Sequence, residues 1–218
     1  MHHVGWILAL ALVACAPDTD SGDPTPGTDN PDPGTDPTTV DPTEPTTTDA
    51  AEPCDPDWPV GLQTTFCVPD FTLPDADGND FTLSDLRGDH VVVVDLVAMW
   101  CGPCWNMADD LEGLYQSYRE DGLEVVTLIG EDQAQQNPTV ADAAEWRDTG
   151  SLSSTIVVDV DGTVKHEWSR SGNFDNIPMT YVVSREGTLV YFASDGELGM
   201  ARLEEMVQMA LASDDSQD

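Results

Sequence analysis

The sequence predicts an α/β sandwich with a central mixed sheet, and three patterns support this fold class. Residues 91–97 form an almost unbroken apolar run, which is typical of a strand buried on both faces of a sheet. Apolar side chains recur at helical spacing soon afterwards, over 105–118. Strand and helix patterns then alternate as far as a final hairpin and an amphipathic helix over 198–212. Such alternation indicates helices packed on a sheet.

The first 53 residues do not have the composition of a folded domain. Residues 1–14 contain a short apolar run with a small-residue end, typical of an export signal, and shorter than the ~20 residues that span a bilayer. Residues 15–53 are rich in Pro, Thr and Asp, and Val40 is the one large aliphatic residue among them. Because this segment cannot bury a core, we expect a disordered tether that extends by roughly 3 Å per residue.

Residues 12–15, which cover the end of the signal-like run and the cysteine after it, have the sequence Leu-Val-Ala-Cys and resemble the lipobox of bacterial lipoproteins. The resemblance implies cleavage before Cys15, which then carries a lipid and anchors the chain to a membrane. It places the protein in the cell envelope, with its domain in the periplasm or on the extracellular face. The positive end of the signal is weak, because His2 and His3 stand there without Lys or Arg. An uncleaved or secreted chain is the alternative.

An irregular arm is predicted over 54–68, where composition becomes that of a folded chain. Once the lipidated cysteine is set aside, four cysteines remain, and three pairings are open to them. The closeness of Cys101 to Cys104 favours a second pair between Cys54 and Cys67. An oxidising compartment would preserve that structural disulfide, which contributes about 3 kcal/mol in the chain-entropy model.

The folded domain is predicted over 69–218 and begins with an N-terminal β-hairpin. Its strands, 71–73 and 81–83, flank the turn-forming sequence Asp-Ala-Asp-Gly-Asn. A capped single turn follows at 84–88. The hairpin therefore leads directly into the buried strand.

The remaining elements continue the alternation. Gly122 is expected to close the first helix. The patterns predict strands over 125–129 and 155–160, a helix over 139–148, a short element through Val164 and Trp168, and a hairpin over 179–183 and 189–192.

The sequence Trp-Cys-Gly-Pro-Cys at 100–104 lies where the buried strand gives way to the first helix. Two cysteines at this spacing can form a disulfide or a dithiol, and a helix N-terminus favours the thiolate of the first. Half of a zinc site is an alternative, but it needs a second pair of ligands. Cys54 and Cys67 do not have that spacing and have no His beside them. The motif therefore indicates redox chemistry.

The strand and motif over 94–104 resemble the active-site strand and helix of thioredoxin. Residues 69–88 resemble the entry hairpin of the TlpA/ResA-like branch of the peroxiredoxin-related AhpC/TSA superfamily. Exported, membrane-tethered thiol-disulfide oxidoreductases are common in that branch. The sequence Ile-Pro-Met-Thr at 177–180 resembles the family's cis-proline loop. Together these matches cover about 69–212 and imply a thioredoxin-like α/β sandwich.

The two cysteines have different expected roles. Cys101, at an exposed first turn of the helix, should be the attacking thiolate. Cys104, one turn further in, should be the resolving thiol. Pro103 costs the helix little, because its missing N–H would be unpaired in the first turn. Trp100 and Gly102 complete the redox motif.

Asp95 is the one charged residue in the buried run. Burial should raise the pKa of its carboxyl group. In the thioredoxins that this chain resembles, the position holds a buried acid beside the resolving cysteine. The resemblance therefore implies that Asp95 accepts a proton from Cys104. The alternative is an Asp at a strand edge that faces solvent.

The resemblance also implies a substrate-docking loop that contains Ile177, Pro178 and Thr180, with a cis bond before the proline. In that family the loop lies against the two sulfurs. The backbone of the residue before the proline pairs with a substrate strand.

The chain is strongly acidic, with 42 Asp and Glu against 7 Lys and Arg and a net charge of −35. Such a surface repels nucleic acid and anionic lipid, which are excluded as expected ligands. Thioredoxins usually carry a base just after the second cysteine, whereas Trp105 follows here and Asp109 and Asp110 come soon after. The negative charge indicates exchange with selected partners.

These patterns predict a thiol-disulfide oxidoreductase of the cell envelope, acting as a reductase without a cofactor or bound metal. Its expected partners are exported proteins that contain disulfides and a membrane thiol reductase that supplies electrons. A thiol peroxidase is one alternative, although the Pro and Thr that precede a lone peroxidatic cysteine are missing. A copper-handling module is another, for which the domain offers only His90 and His166 as imidazole ligands.

Overall fold

The computed structural model describes residue 54 and residues 58–170, 174–194 and 199–213. The predicted signal peptide, Cys15 and the predicted tether lie outside the described residues. Those three expectations stay predictions. In the part of the chain that is described, no helix combines the length and the hydropathy needed to cross a membrane.

A two-stranded antiparallel hairpin precedes the main sheet, as the sequence predicts. Its strands are β1 (Thr72–Pro74) and β2 (Asp80–Thr82). Asp75 organises the turn between them, because its Oδ1 accepts hydrogen bonds from the backbone N–H groups of Asp77 and Asn79 at 2.8 Å each. A short 3₁₀ turn then leads to the central strand.

The main sheet has five strands. In chain order they are β3 (Val91–Ala98), β4 (Leu123–Glu131), β5 (Thr155–Val158), β6 (Met179–Val183) and β7 (Leu189–Ser194). Their order across the sheet is β5-β4-β3-β6-β7, so β3 is central. β3, β4 and β5 pair in parallel, whereas β6 pairs antiparallel with both β3 and β7. The mixed sheet confirms the predicted fold class.

Four α-helices are present in the described residues: α1 (Gly102–Tyr118), α2 (Val140–Gly150), α3 (Thr163–Trp168) and α4 (Met200–Ala212). A capping box between Thr139 and Asp142 starts α2. The predicted end of the first helix was too late. The chain leaves α1 after Tyr118 for a 3₁₀ turn, and Gly122, at φ 93°, ends that turn.

The core lies on both faces of β3, every residue of which is buried. Val91 and Val93 belong to a cluster with Leu111 of α1 and Leu203 of α4, so these two helices cover one face. The alternate residues of β3 join a larger cluster with Phe71, Trp168, Tyr181 and both redox cysteines. The redox motif follows the carboxyl end of β3 and therefore lies at the edge of a packed core.

Candidate active site

Cys101 and Cys104 form a disulfide at the start of α1. Cys101 is the N-cap residue of the helix, and its Sγ accepts a hydrogen bond from the backbone N–H of Cys104 at 3.2 Å. Pro103 lies in the first turn of the helix. A backbone N–H at that position would have no acceptor within the helix, so its absence in proline costs no hydrogen bond. The backbone thus directs a donor at the sulfur on which a thiolate would form, and such a donor favours the charged form.

The structure corrects the expected exposure of Cys101. Only 3% of the residue is accessible to solvent, and Cys104 is fully buried. The backbone N–H of Cys101 donates to the carbonyl of Ala98 at 3.1 Å, which turns the chain inward before the helix begins. Gly102 and Pro103 are the exposed residues of the motif. In this disulfide form, a partner meets those two residues before it meets the sulfur.

Two tryptophans flank the disulfide and are held by hydrogen bonds. The indole N–H of Trp100 donates to Glu131 Oε2 at 2.9 Å, and that of Trp105 donates to the carbonyl of Met99 at 3.0 Å. The Trp105 ring also stacks on Trp146, with centroids 3.7 Å apart. The motif is therefore braced on both sides.

Asp95 lies in the middle of the central strand and is 1% exposed, which rules out the alternative of a solvent-facing edge residue. Its Oδ1 accepts a hydrogen bond from Thr180 Oγ1 at 2.7 Å. Burial raises the pKa of Asp95 to about 7, and the hydrogen bond from Thr180 lowers it in part. Alternation along the strand places Asp95 on the face of Val93, which α1 and α4 cover.

The Ile177–Pro178 bond is cis, as the resemblance implies. Leu96 pairs with Met179 in the antiparallel register of β3 and β6. The two residues before Met179 therefore lie beside the end of β3 that leads to Cys101. The loop and the redox motif are brought to the same edge of the sheet.

The structure corrects the expected docking role of Thr180. Its side chain is 2% exposed and donates to Asp95 inside the sheet, so it cannot meet a substrate. The sequence placed Thr180 in the loop because it follows the proline by two residues. In the structure Thr180 is the second residue of β6 and pairs with Asp95 of β3, which directs its side chain to the buried face that holds Asp95.

Cys54 and Cys67 form the second disulfide, as expected. The backbone N–H of Cys67 donates to the carbonyl of Pro59 at 3.0 Å, and Cys67 also bridges to Thr188 near the last strand. Val68 continues this contact by donating to the carbonyl of Gly187. The predicted arm is therefore fastened to the domain as well as closed on itself.

The two histidines that the copper-handling alternative would need do not lie beside the redox cysteines. His90 precedes β3 and the cysteines follow its far end, eight residues or about 25 Å of extended strand away. His166 is exposed on α3. Among the described residues, no group of three or more His, Cys, Asp or Glu side chains is arranged to hold a metal.

Sequence reasoning missed two charged residues behind the motif. Lys165 Nζ donates to Glu131 Oε1 at 3.1 Å, and the other carboxylate oxygen of Glu131 receives the Trp100 indole N–H. Lys165 is the single lysine of the chain and stands three residues before the buried Trp168, on one side of a short helix. That spacing is the signal that could have identified it as a buried residue.

Known proteins resemble this chain over part of its length. Peroxiredoxin Q of Triticum aestivum, a chloroplast protein, is 32% identical over 126 residues, which are 56% of this chain and 55% of the relative. The chain therefore spans little more than half the length of this relative.

Solved structures share the fold at lower identity. A thiol:disulfide interchange protein of the thioredoxin family from Chlorobium tepidum has a TM-score of 0.56 at 20% identity, covering 68% of this chain and 97% of its own. Peroxidoxin BcpB of Mycobacterium tuberculosis has a TM-score of 0.52 at 22% identity, covering 70% and 96%. The fold is thioredoxin-like. The AhpC/TSA family model matches residues 66–192, more than half of the chain, and the protein belongs to the AhpC/TSA family.

Proposed function

We propose that this protein is a thiol-disulfide oxidoreductase that works through the Cys101–Cys104 couple. The observation that carries the proposal is the disulfide at the N-terminus of α1, with a backbone donor on the first sulfur. A helix start favours a thiolate at that position. The protein acts as a reductase when it begins as the dithiol.

The exchange has two steps. The Cys101 thiolate attacks one sulfur of a substrate disulfide, forms a mixed disulfide and releases the first substrate thiolate. The Cys104 thiolate then attacks Cys101 Sγ and releases the second substrate thiolate. The substrate gains two electrons and the protein ends as the Cys101–Cys104 disulfide, the form seen here. A dithiol donor restores the starting state by the reverse exchange.

Asp95 is the proposed proton acceptor for Cys104. A carboxyl whose pKa is raised to about 7 can take and return a proton near neutral pH, which an Asp with an ordinary pKa does poorly. The proposal is supported by the alternation of β3, which turns Asp95 toward the sheet face that α1 and α4 cover, since α1 is the helix that begins with the redox motif. Thr180 keeps the carboxyl oriented by its hydrogen bond of 2.7 Å.

The loop through Ile177 and the cis proline is the proposed docking edge. It lies at the same end of the sheet as the motif, and its backbone can pair with an extended substrate segment. Because Cys101 is almost fully buried, docking at this edge must bring the substrate sulfur within reach. Selectivity then comes from the edge and from the acidic surface around it.

The cellular setting is part of the proposal. Cys15 would carry the lipid, the tether would hold the domain away from the membrane, and exported proteins with disulfides would be the substrates. In an oxidising envelope the dithiol form needs a membrane thiol reductase as its donor.

The lipid anchor is tested by growing a bacterial host that expresses the protein on labelled palmitate. Label that is found in the native chain and is absent from Cys15→Ser supports the anchor.

Peroxide reduction is the second candidate, favoured by the peroxiredoxin relative. Here the Cys101 thiolate attacks the peroxide O–O bond, becomes a sulfenic acid and releases an alkoxide or hydroxide. Cys104 condenses with the sulfenic acid, releasing water and forming the same disulfide. Only the electron acceptor differs from the first proposal.

A turnover assay with both acceptors tests the proposal. Insulin reduction and hydrogen peroxide consumption are measured with dithiothreitol as donor, for the native chain, Cys101→Ser and Cys104→Ser. We expect catalysed insulin reduction that both substitutions abolish. Peroxide consumption without insulin reduction would favour the second candidate, and neither activity would contradict both.

A further inference from the structure

The buried ion pair between Lys165 and Glu131 lies between the redox motif and the docking loop. The Lys165 side chain is 9% exposed and that of Glu131 is 18% exposed. An ion pair buried to this degree adds little net stability, since desolvation of both charges offsets their attraction. What the pair supplies is a fixed geometry between the elements that carry it.

On the side of the redox motif, Glu131 is bound through both carboxylate oxygens. One accepts from Lys165 Nζ at 3.1 Å and the other from the Trp100 indole at 2.9 Å. The backbone carbonyl of Glu131 also accepts from Met99 N–H at 3.0 Å. Glu131 therefore holds the two residues that directly precede Cys101.

On the side of the docking loop, the Lys165 ammonium lies 5.4 Å from the centroid of the Phe174 ring. Phe174 begins the 3₁₀ turn that runs into Ile177 and the cis proline. A cation within about 6 Å of an aromatic face is attracted to it, and more strongly when both are desolvated. Phe174 is itself buried. The ammonium thus joins the start of the loop to the motif.

Two features keep Lys165 in this place. Its backbone N–H donates to Asp159 Oδ2 at 2.6 Å, and its carbonyl accepts from Ser169 N–H at 3.0 Å. Gly130 leaves room beside it, because a Cβ there would lie 2.6 Å from Phe174 Cζ and 3.1 Å from Lys165 Cβ. The ring packs directly over the β4 backbone at that glycine.

We infer that Lys165 is a positioning residue, which fixes the docking loop relative to Cys101 and so determines how a peptide disulfide is presented to the sulfur. The effect of Lys165 on the kinetics of disulfide exchange rests on the proposed function. The tethering of the loop by Lys165 does not. Substrates that dock through their backbone need the loop in place. A small disulfide that makes no backbone pairing does not.

Hydrogen exchange of the backbone amides of residues 174–177, 179 and 180 tests the tethering in the full chain and needs no measurement of activity. Lys165→Met removes the ammonium and keeps the length of the side chain, Lys165→Arg retains the charge, and Gly130→Ala displaces Phe174 without changing charge. Arg202→Met is the control, because it removes an exposed cation of α4. We expect loop exchange to be about ten-fold faster in Lys165→Met and Gly130→Ala, but unchanged in the control and within about three-fold in Lys165→Arg.

Kinetics with two acceptors test the consequence. For Lys165→Met we expect KM for insulin to rise about ten-fold while the rate with hydroxyethyl disulfide stays within about two-fold. Unchanged loop exchange in both Lys165→Met and Gly130→Ala would overturn the inference. An equal loss of activity with insulin and with hydroxyethyl disulfide would also overturn the inference. If the native chain reduces neither disulfide while loop exchange still depends on Lys165, the tethering stands and the proposed function is wrong.

Discussion

Replacing Asp95 by Asn should make the protein more stable at pH 8 and leave its stability almost unchanged at pH 4. Burial raises the pKa of Asp95 from 3.8 to about 7 in the folded chain. The difference of about 3 pH units, at 1.36 kcal/mol each, gives at most about 4 kcal/mol. Asn keeps an oxygen that can accept from Thr180, so the change removes the charge with little loss of packing.

The sign follows from proton binding. Between about pH 4 and pH 7 the folded state holds a proton that the unfolded state has released, so the native stability falls as pH rises through this window. The unfolding free energy of Asp95→Asn should not fall in this way. The difference in unfolding free energy between the two proteins should therefore grow by about 1.4 kcal/mol per pH unit and level off above pH 7.

Urea unfolding of the oxidised proteins at intervals from pH 4 to pH 8.5 measures this difference. Asp80→Asn, at an exposed residue of the hairpin strand β2, is the matched control and should show no such growth. A constant difference between Asp95→Asn and the native chain would refute the reasoning. So would a difference that shrinks as pH rises.

Four further predictions concern the same elements. Asp95→Asn should slow the release of the second product at least about ten-fold in single-turnover stopped flow, with the first attack unchanged. Thr180→Val removes the hydroxyl that lowers the pKa of the buried carboxyl, so the pH at which the stability of this variant levels off should move above 7. Gly187→Ala, at φ 86° with a guanidinium nitrogen 2.7 Å from the new Cβ, should lose more than the ~1–2 kcal/mol expected for Gly88→Ala, at φ 87° with open space, in urea unfolding. Replacing both Cys54 and Cys67 by Ser should lower the unfolding free energy by about 3 kcal/mol in urea and leave insulin reduction intact.

Much of the fold could be predicted because its signals are local. The buried run of β3 and the helical spacing of α1 each identify an element from consecutive residues. The turn chemistry around Asp75 identifies the hairpin in the same way. The pairing of Cys54 with Cys67 followed from a small set of alternatives.

What could not be predicted depends on contacts between distant segments. The depth of Cys101 is set by how far the end of β3 sinks into the core, which the motif alone does not reveal. Lys165 is buried because Glu131, 34 residues earlier, neutralises it. Thr180 faces Asp95 because β6 pairs with β3 at that register. In each case the residue type gives no indication of its partner.

The central claim is that Cys101 attacks a substrate disulfide and Cys104 resolves the product. Trapping with the reduced Cys104→Ser variant tests it most directly. After incubation with a peptide disulfide, intact mass and peptide mapping should show one peptide joined to Cys101, in nearly every molecule, that dithiothreitol releases. The native chain should instead show its own disulfide and free peptide thiols. No adduct on Cys104→Ser, or an adduct that forms equally on Cys101→Ser, would contradict the claim.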